Sequence, residues 1–223
     1  MKILITGGSG VLGGALMPHL REAGHEIHAP ARAELDLFDA ASVAEAAAGM
    51  DAVYHLATRI PPPEHQGEPE AWRTNDRLRA EATPILVDAA LAGGAQHFVF
   101  PGIAFVYAAE GEVDESSPVV DPMGSAASAL VAEREIERFS AEGRNGVVLR
   151  LGLLYGPTTG SDVPAERWAP YGATLRIKDA GTALAVALDL PGGIYNVVGD
   201  GQRVSNQRLK DASGWRPRAE VAA

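Results

Sequence analysis

Cysteine is absent from the 223 residues of this sequence, and negative charge exceeds positive charge. Without cysteine, the chain has no disulfide framework and no thiolate metal site. A net charge of −10 and a pI near 5.0 argue against a nucleic-acid or anionic-membrane surface. No apolar run approaches the length of a membrane span, and the first residues, MKILITGG, are not typical of a signal peptide. We therefore expect a soluble, cytoplasmic protein without nucleic-acid or membrane partners.

Several catalytic motifs are missing as well. The six histidines include no H-E-x-x-H spacing, and the sequence predicts no metal site. No G-x-S-x-G occurs, so the chain lacks the nucleophile turn of an α/β-hydrolase. None of the five tyrosines has a lysine at the fourth following position. The sequence therefore contains none of these three catalytic signatures.

What the sequence does contain is a regular alternation of apolar, strand-length segments with helical segments. The alternation predicts an α/β fold with a Rossmann-like, doubly wound parallel sheet. Long apolar strands without polar alternation fit a sheet that is covered on both faces. Predicted strands are 2–6, 25–30, 51–57, 97–102, 146–156 and 193–199. Predicted helices are 11–23, 39–49, a long helix ending near residue 91, a helix whose start is 122–135, 178–190 and 205–214.

The segment TGGSGVLG places Gly7, Gly10 and Gly13 between the first strand and the first helix. Small residues permit a tight turn there and let backbone N–H groups approach a pyrophosphate, which then faces the positive end of the helix dipole. A glycine triplet alone is a weak signal, but the strand–loop–helix context makes it specific. The sequence therefore predicts a dinucleotide site at this loop.

Longer motifs carry a resemblance over nearly the whole chain. They are MKILITGGSGVLG, LDLFD, VYHLAT, TNDRLRAEATPILVDAA, LRLGLLYGP and GIYNVVGDGQRVSNQRLKDASGWRPR. Together they resemble the extended branch of the short-chain dehydrogenase/reductase superfamily, the NAD-dependent epimerase/dehydratase family. The resemblance implies a cofactor site that comprises Gly7, Ser9, Gly10, Val11, Leu12, Gly13, Asp36, Leu37, Leu56, Ala57, Thr58, Asn75 and Pro157.

The resemblance also implies a division of the chain and an assembly. Residues 1–157 correspond to an NAD(P)-binding Rossmann domain, and residues 158–223 to a substrate lobe interleaved with the last sheet elements. Only about twenty residues, 158–177, fill the interval where family members carry a larger lobe, so we expect a small substrate in place of a nucleotide sugar. The helices after residues 68 and 122 correspond to a family dimer interface, which implies a homodimer.

The preferred dinucleotide depends on the end of the second strand. NAD enzymes of this kind usually carry an acid there that binds the ribose hydroxyls, and this chain has Ala31 followed by Arg32. An arginine without a neighbouring carboxylate can bind a 2′-phosphate. We therefore predict NADP, with NAD as the alternative, although Arg32 could equally be a solvated loop residue.

The chemistry of the family depends on a serine, a tyrosine and a lysine, and the resemblance places them at Ile103, Ser125 and Ala129. In the family, the lysine charge brings the tyrosine toward a working pKa from its unaided value of about 10. Isoleucine and alanine have no proton to move, and a serine hydroxyl has no useful acidity near neutral pH. The usual relay of a proton alongside the hydride cannot operate through these positions.

Substitute catalytic groups are few. Tyr107 and Tyr155 follow the strands that border the pocket, and with Ser125 they are the candidate catalytic residues, although both tyrosines could simply pack. Asp114, Glu115 and Asp121 are more typical of solvated loop acids, and His55 of a core histidine.

Three functions remain open from the sequence. The first is an atypical biosynthetic enzyme that performs isomerase, cyclase or lyase chemistry on a small molecule, with substrate positioning as the main source of catalysis. The second is a dinucleotide-binding sensor or regulatory protein without activity, and the third is an NADPH-dependent oxidoreductase with substitute acid–base groups.

Overall fold

The computed structural model describes residues 1–119, 125–160, 162–164, 166 and 172–218. In this part of the chain, strands and helices largely alternate. The strands are β1 Lys2–Thr6, β2 Glu26–His28, β3 Ala52–His55, β4 His97–Ile103, β5 Asn145–Leu151, β6 Leu153–Tyr155, β7 Thr174–Arg176 and β8 Gly193–Val197. The α-helices are α1 Val11–Glu22, α2 Ala40–Ala47, α3 Pro69–Arg77, α4 Thr83–Gly93, α5 Ser125–Ala141, α6 Ile177–Val186 and α7 Gln207–Ser213.

Six of these strands form a parallel sheet in the order β2-β1-β3-β4-β5-β8. From β1 the chain crosses through α1 to β2, and it then returns through α2 to β3 on the other side of β1. The pairing of β1 with β3 runs from Ile3 with Ala52 to Thr6 with His55. Where the strand order reverses in such a sheet, a crevice opens at the carboxyl ends of the strands, and ligands bind there. The predicted doubly wound parallel sheet is confirmed.

Local signals explain the first two helices. Gly24 follows the end of α1 with a backbone φ of +79°, a conformation that glycine adopts without a Cβ penalty. The side chain of Asp39 accepts a hydrogen bond of 3.1 Å from the backbone N–H of Ala41 and so caps α2.

A π-helical turn interrupts the long helix that was predicted to end near residue 91. The turn, Leu78–Ala82, joins α3 to α4, and π turns within helices often lie at functional sites. The carbonyl of Leu78 accepts a 3.0 Å hydrogen bond from His55 Nε2. Because a carbonyl can only accept, the proton lies on Nε2, and the Thr6 hydroxyl donates to Nδ1 at 2.7 Å. His55 is therefore a neutral core histidine.

We expect His55 to make the fold less stable in acid. Burial lowers its pKa to about 4 from 6.5, and the Arg79 charge adds to this while the Leu78 hydrogen bond opposes it. Between these values the unfolded chain binds a proton that the folded chain does not, so stability falls as the pH drops from about 6.5 to about 4. The shift corresponds to about 3 kcal/mol.

Urea unfolding of the native protein and of His55→Gln at several pH values measures this contribution. Between about pH 6.5 and pH 4, the free energy of unfolding should fall by about 3 kcal/mol less in the variant than in the native protein. His65→Gln is the matched control, because that side chain is 52% exposed. Parallel stability curves for the native protein and His55→Gln would show that folding does not lower the pKa of the ring.

One predicted strand was wrong in extent. Residues 146–156 were read as one strand, but the chain leaves the main sheet at Gly152. The backbone N–H of Gly152 donates to Val197 in β8, whereas that of Leu153 donates to Ala173. The β6 segment therefore pairs with β7, a strand the sequence analysis did not predict, in a separate two-stranded sheet. Close backbone contacts explain the glycine, because a Cβ at residue 152 would lie 2.9 Å from the Thr174 carbonyl carbon.

Apolar side chains cover both faces of the main sheet. One face packs against α1 and α6 through residues such as Leu16 and Leu184, and the other packs against α2, α4 and α5 through residues such as Leu86 and Ile136. The continuous burial explains why the strands show no polar alternation. Among the described residues, no helix combines the length and apolarity needed to cross a membrane.

Candidate cofactor and substrate site

The glycine loop lies where β1 and β3 end side by side. Gly7 has a φ of +74°, and a Cβ on it would come within 2.6 Å of the backbone nitrogen of Ala57. A Cβ on Gly13 would come within 2.2 Å of the carbonyl oxygen of Gly8. These contacts require glycine at both positions, because no side-chain movement relieves a clash between backbone segments.

The loop presents the first turn of α1 to the crevice. Gly10 N–H donates to the Gly7 carbonyl at 3.0 Å, which closes the turn, and Gly10 then precedes α1. Ser9, Gly10 and Val11 are exposed, while Leu12 is half-buried. Exposed N–H groups at a helix start, together with the helix dipole, favour an anion such as a pyrophosphate.

Other predicted cofactor residues lie along the same edge of the sheet. Leu56 is buried and its N–H donates to the Thr6 carbonyl at 3.0 Å, so the Leu56–Thr58 segment continues β3 beside the loop. Asn75 in α3 is fully buried, and its Oδ1 accepts the N–H of Arg59 at 3.2 Å. Its Nδ2 has no hydrogen-bond partner in the described part of the chain. A buried amide with an unused donor beside a glycine cradle fits a polar ligand such as a dinucleotide.

The remaining cofactor residues lie on exposed loops. Arg32 is exposed after β2, and Asp36 uses one carboxylate oxygen to accept the N–H of Phe38 at 3.0 Å. Leu37 is half-buried in the same loop, and Pro157 is exposed after β6. Nothing in this geometry separates NADP from NAD, and the preference for NADP stays a prediction.

The two positions that the sequence assigned to the family serine and lysine, residues 103 and 129, lie in one apolar cluster. Ile103 ends β4 and is 8% exposed, and Ala129 in α5 is fully buried. Both belong to the cluster that also contains Val106, Tyr107 and Leu130. Ser125 begins α5, and its side chain lies outside the described part of the structure. At residues 103 and 129 the site therefore offers apolar surface and no proton donor.

Tyr107 is occupied by buried hydrogen bonds. Its hydroxyl donates to Asn196 Oδ1 at 2.6 Å and accepts from Arg150 Nη1 at 3.0 Å. Burial raises the pKa of Tyr107, and the hydrogen bond from Arg150 opposes that effect. Tyr155 is buried at the end of β6. The catalytic roles of these tyrosines and of Ser125 stay predictions.

Sequence reasoning missed the ion pair behind Tyr107. Arg150 in β5 donates to both carboxylate oxygens of Glu133 in α5, at 3.0 and 2.7 Å, and both side chains are 4% exposed. Burial works against the Arg150 charge, but pairing with Glu133 outweighs it and raises the pKa of Arg150. The signal was an arginine inside the apolar strand VVLRL, where an unpaired charge would be very costly.

The three loop acids read as solvated have different environments. Glu115 accepts the backbone N–H of Asn196 at 2.6 Å and so ties the loop after β4 to β8. The prediction that Glu115 is a solvated loop acid was therefore wrong, because its carboxylate binds the backbone of β8. Asp114 is exposed and binds its own turn, at Ser116 and Ser117. Asp121 lies outside the described residues.

A cavity of about 460 Å³ lies directly beyond the end of β3. It is lined by Arg59, Ile60, Pro61, Pro62, His65 and Ala71. Ligand pockets of about 300–1,000 Å³ are usual for small molecules. Within the described residues, no group of three or more histidine or acidic side chains is arranged to hold a metal ion.

Comparison with known families agrees with this geometry. The model of the NAD dependent epimerase/dehydratase family matches residues 3–187. The chain belongs to that family. The resemblance predicted from the sequence is confirmed, while the binding of a dinucleotide at the glycine loop itself stays a prediction.

Individual relatives match this chain over only part of their own length. A 3-diazoavenalumate denitrifying reductase from a Streptomyces species is 36% identical, over 86% of this chain and 65% of the relative. A 2-alkyl-3-oxoalkanoate reductase from Stenotrophomonas maltophilia is 29% identical, over 75% of this chain and 56% of the relative. The chain therefore spans less than two thirds of the length of either protein.

Among solved structures, a dTDP-glucose 4,6-dehydratase from Streptomyces venezuelae with NAD bound superposes with a TM-score of 0.79. The match covers 99% of this chain and 93% of that one, at 17% sequence identity. At this identity the likeness establishes the fold, and it carries no substrate with it.

Proposed function

We propose that this family member is an NAD(P)H-dependent reductase of a small acceptor that takes up a hydride without a proton from the protein. The observation that carries the proposal is the apolar cluster at Ile103 and Ala129, where a family oxidoreductase places its serine and lysine. NADP is the preferred dinucleotide in this proposal, and a homodimer is the preferred assembly.

The physical argument starts from the product. Reduction of a carbonyl creates an alkoxide, which needs a proton from a nearby acid as it forms. Residues 103 and 129 supply none, and the hydroxyl of Tyr107 is occupied by Asn196. An acceptor that is itself a cation does not need that proton, because hydride addition neutralises it.

An aryl diazonium group is an acceptor of this kind. A reduced dinucleotide held at the glycine loop would supply a hydride to the ring carbon in place of dinitrogen, and the products would be the arene, dinitrogen and the oxidised dinucleotide. No proton enters that balance. The role of the chain is then to hold the dinucleotide at the glycine loop, to orient the acceptor and to exclude water from the apolar cluster.

The relatives support the redox class. One has a printed name that describes a denitrifying reductase of a diazo compound, and another is named as a reductase of a carbonyl compound. The first name matches an acceptor that gives up nitrogen. The isomerase, cyclase or lyase chemistry that the sequence favoured, and the role as a sensor without activity, stay as alternatives that the same experiment separates.

The test uses NADPH or NADH labelled with deuterium at the transferred position, together with a simple aryl diazonium salt. We expect protein-dependent loss of nicotinamide absorbance and one deuterium on the ring carbon that carried nitrogen. A sample without protein measures the spontaneous reaction. Faster reduction of a panel of ketones and aldehydes would contradict the proposal. Binding of dinucleotide without any turnover would favour the sensor, and absence of binding would favour a cofactor-free enzyme.

A further inference from the structure

We propose that the cavity beyond β3 binds the carboxylate of a substrate with a flat apolar body, and that Arg59 is its carboxylate-binding residue. The inference rests on the proposed function, since it assigns the cavity to the hydride acceptor. It adds the chemical class of that acceptor, an aromatic or unsaturated carboxylate, which neither the family nor the fold specifies.

Position is the first argument. Arg59 directly follows Leu56–Thr58, the segment that borders the glycine loop. Its backbone N–H is held by Oδ1 of the fully buried Asn75. The backbone from which the guanidinium extends is therefore anchored two residues after Ala57, which contacts Gly7, and Arg59 itself lines the cavity. A ligand held by Arg59 would extend along the same edge of the sheet.

Charge is the second argument. The guanidinium of Arg59 forms no ion pair with any side chain of the described ranges. Two acids of the following segment are already engaged, since Glu68 accepts from His65 and Glu70 pairs with Arg73. Glu64 is exposed and forms no ion pair with Arg59 in the described ranges. Arg59 is thus a cation available to a ligand at a cavity wall, in a protein whose net charge is −10. The planar guanidinium matches a carboxylate through two parallel hydrogen bonds.

The other walls are apolar and held in shape. Pro61 and Pro62 restrict the backbone, and Ile60 leaves 56% of its surface exposed beside them. Gln66 Nε2 donates to the Pro61 carbonyl at 3.1 Å, and Trp72 Nε1 donates to the Gln66 carbonyl at 2.9 Å. These two hydrogen bonds connect residues 61, 66 and 72 and so restrain the loop that forms the cavity wall. An apolar, preorganised lining next to the guanidinium of Arg59 favours a flat anion over a polyhydroxylated sugar.

The test compares 2-naphthoate with its neutral amide, 2-naphthamide, by titration calorimetry of the native protein saturated with NADP⁺. Native protein is expected to bind naphthoate about tenfold more tightly than the amide, as one charge-assisted pair would give. In Arg59→Gln that preference should disappear through loss of naphthoate affinity alone. Arg59→Lys keeps the positive charge but loses the two parallel N–H donors of the guanidinium, so it should retain part of the preference for naphthoate.

Arg73→Gln is the matched control, because it removes an exposed arginine of the adjacent helix that already has an acidic partner. It should leave the preference for naphthoate intact. Equal loss in both variants, an unchanged preference in Arg59→Gln, or no preference in the native protein would each overturn the inference. Arg59-dependent binding without deuteride transfer to any diazonium salt would support the carboxylate site while refuting the proposed reductase. Deuteride transfer to a diazonium salt, together with naphthoate binding that does not depend on Arg59, would support the reductase and refute the carboxylate site.

Discussion

Replacement of Gly7 by alanine should remove measurable dinucleotide binding and destabilise the fold. A φ of +74° costs a residue with a Cβ about 1–2 kcal/mol. The new Cβ would also lie 2.6 Å from the backbone nitrogen of Ala57, and overpacking of this kind costs about 1–3 kcal/mol. The carboxyl ends of β1 and β3 must separate to relieve the clash, which widens the crevice that holds the pyrophosphate. Calorimetric titration with NADPH and urea unfolding measure the two effects.

Two glycines of the same segment provide controls for this result. A Cβ on Gly14 meets no atom within 4 Å, so Gly14→Ala should keep the native affinity and gain up to about 1 kcal/mol from helix propensity. Gly10 has an ordinary φ of −80°, so Gly10→Ala should fold but add a methyl group at the exposed start of α1 and weaken binding. Native affinity in both Gly7→Ala and Gly10→Ala would mean that the dinucleotide binds elsewhere.

Glu133→Ala should be the most destabilising change outside the glycine loop. It leaves the guanidinium of Arg150 buried without its carboxylate, and such losses typically cost about 3–5 kcal/mol. The environment of Tyr107 should change as well, because its hydroxyl accepts a hydrogen bond from that guanidinium. Urea unfolding gives the free energy, and the near-ultraviolet circular dichroism of the aromatic side chains reports whether Tyr107 keeps its environment.

Glu135 offers a matched comparison two residues along the same helix. It pairs with Arg138, whose side chain is 40% exposed, so Glu135→Ala should cost less than about 1 kcal/mol. Replacement of both buried partners, Glu133→Leu with Arg150→Met, should recover part of the lost stability, since no charge is then left unpaired. Equal, small losses for Glu133→Ala and Glu135→Ala would show that water reaches the Arg150 pair.

Much of the cofactor half of the molecule was predictable from local sequence. The loop from Gly7 to Gly13, the cap at Asp39 and the glycine that follows α1 at residue 24 all depend on residues a few positions apart. Backbone conformation and N-terminal caps are decided within one turn of chain, so the sequence reports them directly.

The errors arose where distant segments meet. Gly152 reads as part of a continuous strand, yet its two neighbours in space, Val197 and Thr174, send the chain into a second sheet. Glu115 reads as a solvated loop acid until β8 brings the N–H of Asn196 to it. Each of these three partners lies more than twenty residues along the chain from the residue it contacts, so no local sequence pattern indicates the contact.

By itself the sequence determined the family, the parallel sheet and the glycine loop, because repeated apolar strands and glycines between them specify these features locally. It also predicts that Ile103, Ser125 and Ala129 stand where the family places its catalytic residues. The tertiary structure alone decided the rest. It brought Ile103 and Ala129 into one apolar cluster, buried Arg150 against Glu133, and left Arg59 at a cavity without an ionic partner among the described side chains. Those arrangements depend on which side chains meet across the sheet edge, and packing between distant segments is what sets them.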